Sequence, residues 1–323
     1  MSKPRIIVTR RWPAEVETLL NEKFDTVLNE NDVPMSGSEL QSAIQQCDVL
    51  CPTVSDKLSA DIINAPERRT KLIANFGVGF NHIDIEAAKS SELAVSNTPH
   101  VLTDCTADLA MTLMLMVARR AGEGERHVRA KEWSGWRPTH MMGTKLTDKT
   151  LGLVGFGRIA QAMARKAHFG FGMQIIFHDP FPPKQEAVLA VNARSCDSVE
   201  DVLSEADFVS IHCPGGEATY HLMNAERLAA MQSHAFLINT ARGDVVDQQA
   251  LINSLEKGQI AGAGLDVYEG EPAVPEQLMK FENVVLLPHL GSATTETRVA
   301  MGMRVIDNIE AFVKGESLPD KVV

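Results

Sequence analysis

Three polar side chains stand just past apolar runs of this chain. Arg242 follows AFLINTA, Glu271 follows GLDVYEG, and His289 follows NVVLLP. An arginine offers a planar fork for a carboxylate. A histidine moves protons near neutral pH, and a carboxylate beside it orients the ring and favours the imidazolium. Apolar runs of this kind read as strands, and ligands of doubly wound sheets bind outside the carboxyl ends of strands. Three such groups can therefore converge on one crevice as acid, orienting partner and anion clamp. Each residue alone also has an ordinary structural explanation. Arg242 fits a helix-capping surface charge, Glu271 before Pro272 a loop acid, and His289 a satisfied strand-end histidine.

A second group of residues fits a phosphate. In LGLVGFGRIAQAMARKA a strand over 151–154 runs into Gly155-Phe156-Gly157-Arg158-Ile159-Ala160, and a helix follows with Ile159, Met163 and Ala167 on one face. Gly155 permits the tight turn, Gly157 lets a pyrophosphate approach the backbone, and the small Ala160 lets the helix lie on the strand. Arg158 and Ile159 open that helix, whose unpaired N–H groups and partial positive charge face the phosphate. Asp179 closes the next apolar run, QIIFHD. A carboxylate there accepts hydrogen bonds from an adenosine ribose and repels a 2′-phosphate, which predicts NAD(H) over NADP(H). The competing reading of Asp179-Pro180 is a turn that ends the strand.

The elements that must position these residues alternate along the chain. Strands are expected at 5–9, 48–51, 71–76, 93–96, 151–155, 174–178, 207–212, 235–240, 262–267 and 283–288, several of them apolar on both faces. Helical patterns lie between them, as in PAEVETLLNEKF, GSELQSAIQQ, AERLAAMQ and QQALINSLEKG. This is an α/β pattern of doubly wound parallel sheets with right-handed crossovers. Residues 103–130 read as one long helix rich in Ala, Leu and Met, followed by the aperiodic stretch KEWSGWRPTHMMGTKLTDK. The Met-rich helix over 103–120 and the loop over 131–143, with Trp133 and Trp136, predict apolar surface beyond what a monomer exposes. The expectation is a homodimer with isologous contacts from both segments.

Composition narrows the function classes. A length of 323 residues implies two domains at ~150 residues each. The net charge of −11 argues against nucleic acid and against an anionic membrane surface. Five scattered cysteines without a CxxC pair predict neither a disulfide framework nor a metal site. The first apolar run is too short for a signal peptide, and LAMTLMLMVA is about half the length of a membrane span. A cytoplasmic protein is expected.

Taken in order, VGFGRIA, NTARGDVVD (239–247), GLDVYEGEP (264–272) and PHLGSAT (288–294) resemble the signature set of the D-isomer-specific 2-hydroxyacid dehydrogenases. ANFGVGFNHIDIEAA (74–88) and NTPHVLTDCTADLAMTLMLMVARR (97–120) extend the resemblance over nearly the whole chain. EWSGWRPTHMMG (132–143) and the end KGESLPDKVV are most similar to the glyoxylate/hydroxypyruvate reductase branch.

The resemblance implies a Rossmann cofactor domain, residues 100–291, inserted into a flavodoxin-like substrate domain, residues 1–99 plus 292–323, and a homodimer formed through the cofactor domain. It implies reduction of a small 2-oxo acid to the D-2-hydroxy acid, with the reverse reaction. Arg242 would hold and polarise the substrate, His289 would be the acid/base and Glu271 its partner. The N–H groups of Val78 and Gly79 would take the substrate carboxylate, with Ser292 and Arg298 at its border. Asp266 would contact the nicotinamide amide and Thr106 the ring, and Cys213, Pro214 and Thr240 would border the cofactor. Ala160 in place of a third glycine, CPGGEAT (213–219) in place of a CPLT-like run and His100 in place of a glycine depart from the family pattern. The same scaffold also serves dinucleotide-sensing corepressors and other reductases of D-lactate or 2-ketogluconate type.

Overall fold

The computed structural model describes residues 3–323. The chain forms two compact units, one built from the residues up to Leu102 together with Ala293–Val323, the other from Thr103–Ser292.

The first unit holds five parallel strands: β1 (Arg5–Val8), β2 (Asp25–Val27), β3 (Val49–Cys51), β4 (Leu72–Ala74) and β5 (Ala94–Ser96), in the order β2-β1-β3-β4-β5. Successive side chains alternate between two buried faces, as the period of a strand requires. Ile7, Leu50, Ile73 and Val95 enter one core, while Ile6, Val8, Val49, Cys51 and Leu72 enter the other. The helix Thr295–Lys314 covers the second face with Met301, Val305, Ile306 and Ile309. Its Gly302 admits Val16, because a Cβ there would lie 2.5 Å from Val16 Cγ1.

The second unit holds seven parallel strands: β6 (Thr150–Val154), β7 (Gln174–His178), β8 (Arg194–Ser195), β9 (Phe208–Ile211), β10 (Phe236–Asn239), β11 (Gly262–Leu265) and β12 (Val284–Leu286). Their order is β12-β11-β10-β9-β6-β7-β8. The chain reverses direction across the sheet between β6 and β9, so the crevice at the carboxyl ends of these two strands is the topological switch point. The two-domain, all-parallel architecture expected from the alternating pattern is the one observed.

Three expectations need correction. Residues 103–130 are two helices, Thr103–Ala118 and Ala121–Arg129. Arg120 breaks them with a left-handed φ of 52°, and the Ala118 carbonyl accepts from Thr144 N–H at 2.8 Å instead of continuing the helix. Gly143 makes this approach possible, since a Cβ there would overlap the same carbonyl oxygen. The Met-rich helix is not an exposed surface either. Ala107, Ala110, Met111, Leu113, Met114 and Val117 lie in the core of the unit, and Gly262 and Gly264 of β11 let Val117 and Leu113 come down onto the sheet. Between residues 103 and 143 the large apolar side chains that stay exposed are Val128, Trp133, Trp136 and Met142, with Trp136 82% accessible. Lastly, β2 and β8 were not foreseen, because DTV and RS are largely exposed edge strands that carry no apolar run. Their pairing with β1 and β7 defines them. Among the described residues no helix is long and apolar enough to cross a membrane.

Candidate active site

The turn after β10 presents Arg242. Asn239, the buried last residue of the strand, donates from Nδ2 to the Arg242 carbonyl at 2.8 Å and accepts from Ala241 N–H at 3.0 Å. A single side chain thus closes the turn from within. Burial lowers the Arg242 guanidinium from its usual value, and the charges of Glu271 and Asp244 offset part of that cost. Gly243 next to it lies against the turn after β11, where a Cβ would overlap the Tyr268 carbonyl carbon. The turns bearing Arg242 and Glu271 are therefore in backbone contact.

Glu271 and His289 form a pair. His289 Nδ1 and Glu271 Oε2 are 2.8 Å apart, and Glu271 Oε1 accepts from Tyr268 N–H at 3.0 Å. Burial raises the Glu271 carboxyl, but the His289 hydrogen bond and charge, the Tyr268 N–H and the Arg242 charge outweigh it and hold the group below its ordinary value. With Nδ1 committed to a carboxylate, the ring offers Nε2 for proton transfer. His289 itself has a left-handed φ of 56°. That conformation is maintained from below. The His289 N–H donates to the Asp266 carbonyl at 2.9 Å, Leu290 N–H donates to Asp266 Oδ1 at 2.6 Å, and Gly291 N–H to Oδ2 at 2.8 Å. Thr106 completes the hold by donating from Oγ1 to the Gly291 carbonyl at 2.8 Å. Asp266 is fully buried, and burial pushes its carboxyl up to about 6 against the two N–H groups and the His289 charge.

The glycine turn fits a dinucleotide. Gly155 has a φ of 88°, and a Cβ on it would sit 2.9 Å from the Cys213 nitrogen, so only glycine closes β6 onto the end of β9. Gly157 is exposed and caps the helix Arg158–Phe171 with no side chain over the helix end and open space where a Cβ would project. Arg158 is exposed on the first turn, with Ile159 half-buried behind it. Asp179 is bound to the same turn, accepting from Phe156 N–H at 2.7 Å and from Phe181 N–H at 2.9 Å. The carboxylate thus forms the turn after β7 and is tied to the glycine turn at the same time. At the end of β10, Thr240 Oγ1 is buried without a hydrogen-bond partner, a group that awaits a ligand or water. Cys213 and Pro214 begin the loop after β9, and burial pushes the Cys213 thiol up to about 11, which leaves it a wall and not a nucleophile.

In the first unit, the loop Gly77–Gly79 follows β4. Asn75 Nδ2 donates to the carbonyls of Gly77 and Gly79 at 3.0 Å each, and Asn97 Nδ2 donates to the Val78 carbonyl at 2.8 Å. His82 Nε2 lies 3.0 Å from Asn75 Oδ1 and fixes the amide orientation. Across a trans peptide the N–H points opposite to the carbonyl. Fastening the Gly77 and Val78 carbonyls therefore turns the N–H groups of Val78 and Gly79 the other way, away from the two asparagine amides. The sequence reading had named Val78 and Gly79 but not Asn75, Asn97, Asn239 or Tyr268. The available signal was an asparagine closing an apolar strand, as in LIAN and FLIN, where β propensity disfavours it. Ser292 ends the second unit, whereas Arg298 lies on a helix of the first.

The chain is similar to known proteins over nearly its whole length. The model of the D-isomer specific 2-hydroxyacid dehydrogenase NAD binding domain matches residues 111–291. A glyoxylate reductase of Thermococcus litoralis is 44% identical over 325 residues, covering 99% of this chain and 97% of the relative. A glycerate dehydrogenase of Hyphomicrobium methylovorum is 36% identical, covering 98% of each chain. The solved structure of an NADPH-dependent glyoxylate/hydroxypyruvate reductase from Sinorhizobium meliloti, in complex with NADP and malonate, superposes with a TM-score of 0.88 at 34% identity. It covers 100% of this chain and 97% of that one.

Proposed function

Since the chain belongs to the D-isomer-specific 2-hydroxyacid dehydrogenase family, we propose that Arg242, Glu271 and His289 carry its chemistry, with glyoxylate and hydroxypyruvate as preferred substrates. The protein is an oxidoreductase that reduces a small 2-oxo acid with a nicotinamide cofactor. The observation that carries the residue assignment is the 2.8 Å Glu271–His289 pair beside the half-buried Arg242.

The N–H groups of Val78 and Gly79 hold the substrate carboxylate, with Ser292 at its border. Arg242 holds the 2-oxo group and stabilises the negative charge that develops on its oxygen. Its half-buried setting strengthens that interaction. His289 delivers a proton from Nε2 to the same oxygen, while Glu271 keeps the ring aimed through Nδ1. When bound, the nicotinamide supplies the hydride. Gly155, Gly157, Arg158 and Ile159 cradle the pyrophosphate, Asp179 takes the ribose, and Thr106, Cys213, Pro214, Thr240 and Asp266 line the remainder. Asp179 argues for NADH, since a 2′-phosphate would face its carboxylate. The exposed Val128, Trp133, Trp136 and Met142 support a homodimer. Cytoplasmic residence belongs to the same reading, supported by the thiols of Cys47, Cys51, Cys196 and Cys213.

The test is spectrophotometric. NADH consumption with glyoxylate and with hydroxypyruvate is expected from the wild type and not from His289→Ala. Tight NADH binding with no turnover on any 2-oxo acid would replace this reading with a dinucleotide sensor.

A further inference from the structure

Next to the Glu271–His289 pair lies a second imidazole–carboxylate contact that the proposed chemistry does not use. His221 Nε2 is 3.0 Å from Glu269 Oε1, and Tyr220 Oη donates to the same oxygen at 3.2 Å. The Tyr220 and His221 rings stack with centroids 4.0 Å apart. The other ring nitrogen of His221, Nδ1, faces Asp247 Oδ2 at 4.0 Å. In the backbone, His221 N–H donates to the Asp244 carbonyl at 2.8 Å, and Met223 N–H to the Val245 carbonyl at 2.9 Å. His221 therefore joins three segments: the loop after β9 that carries Cys213 and Pro214, the turn after β10 that carries Arg242, and the turn after β11 that carries Glu271.

Two features indicate that this joint is more than a surface contact. His221 is held at a left-handed φ of 48°, a conformation that favours glycine, yet an imidazole occupies it. And Glu269 stands two residues before Glu271 across Gly270, itself at a φ of 79°, in a turn whose backbone is pressed by Gly243 on the opposite side. Glu269 directly follows Tyr268, whose N–H holds Glu271 Oε1.

We propose that His221 is a positioning residue for the reduction. Acting through Glu269, it sets the pitch of the Tyr268–Glu271 turn and hence the angle at which Glu271 meets His289. Because its own loop begins with the residues bordering the cofactor, the same contact ties the seating of that loop to the alignment of the acid. The proposal rests on the assignment of Glu271 and His289 made above.

The experiment compares the wild type, His221→Gly, His221→Gln, Glu269→Ala and the double variant His221→Gly/Glu269→Ala, with His289→Ala as control. Each is assayed for glyoxylate or hydroxypyruvate reduction, NADH dissociation constant and thermal midpoint. Glycine relieves the left-handed backbone and loses the Glu269 contact, so a purely structural His221 predicts a change in the midpoint at most, with unchanged turnover. The expected result is a fall in kcat of about tenfold in His221→Gly, with NADH affinity altered by less than about twofold. His221→Gln, whose amide nitrogen reaches close to the place of Nε2, should recover most of the turnover. The double variant should match the single ones, because both changes break one link. Wild-type kcat in His221→Gly overturns the proposal, as does a loss fully explained by weaker NADH binding or an additive double variant. An inactive wild type, or a His289→Ala that turns over normally, overturns the underlying assignment and this proposal with it.

Discussion

Asp266 fixes His289 without touching its ring: the His289 N–H donates to the Asp266 carbonyl at 2.9 Å, and both carboxylate oxygens take the next two N–H groups of the chain. A fully buried carboxyl serves here as the mould for a left-handed histidine. The resemblance to the family implies a nicotinamide contact for the same residue; the hydrogen bonds show what it does for the protein itself.

That burial has a pH signature. Burial raises the Asp266 carboxyl from an ordinary 3.8 to about 6. In the unfolded chain the group releases its proton near 3.8, so between pH 4 and 6 the folded state binds more protons. Stability therefore falls as pH rises through that window, by about 3 kcal/mol in total, and the loss persists above pH 6. Asp266→Asn lacks the titration. Urea unfolding of both proteins from pH 4 to 7 should show the wild type losing ground to the variant across the window. A constant difference would mean that the carboxyl titrates normally.

His289→Ala should lower kcat by about 10²–10⁴-fold while leaving the NADH dissociation constant nearly unchanged. Arg242→Lys should fail chiefly in substrate use, since one ammonium cannot reproduce the fork. Stopped-flow NADH titration beside steady-state kinetics separates the two effects.

Coenzyme choice is predicted from Asp179. NADH should exceed NADPH in kcat/KM by about tenfold or more, equivalent to about 1.4 kcal/mol. Asp179→Ser should narrow the ratio. The variant also gives up the bond to Phe156 N–H, so NADH binding itself should weaken. Equal kcat/KM for both coenzymes in the wild type would refute the assignment.

The two glycines of the turns predict opposite defects. Gly157→Ala meets open space at a φ of −72°, so the unliganded protein should keep its stability within about 0.5 kcal/mol while NADH binding weakens. Gly243→Ala would drive a methyl into the Tyr268 backbone, which cannot give way as a side chain can. It should lower both the thermal midpoint and kcat. Calorimetry with and without NADH distinguishes the pair.

Self-association is predicted to run through Trp133, Trp136 and Met142. Light scattering at micromolar concentration should give a dimer mass, and Trp136→Glu should shift it toward the monomer. A wild-type monomer under those conditions would remove the homodimer from the proposal.

Much of this was legible in the sequence because strand-end chemistry is linear in sequence. VGFGRIA, Asp179, Arg242, Glu271 and His289 each follow their own strand, so reading where apolar runs stop locates them. Gly77–Gly79 was legible through the motif alone. What stayed hidden depends on contacts between distant segments. The break at Arg120 follows from Gly143 and Thr144 reaching the Ala118 carbonyl, which no local periodicity records. The burial of the Met-rich helix depends on two glycines in β11, far along the chain. Likewise His221 gains its meaning only from Glu269, since a histidine in an exposed loop carries no signal of its own.

The loop Gly77–Gly79 presents main-chain N–H groups, and these are the same whichever side chain is attached. Val78 can therefore drift to other residues without erasing the proposed anion site, whereas Asn75 and Asn97, which hold those peptides from behind, cannot. Mutational intolerance is displaced from the residue at the point of contact onto two amides behind the loop, Asn75 buried and Asn97 half-buried. A saturation scan of this loop should find its most fragile positions outside the contact itself.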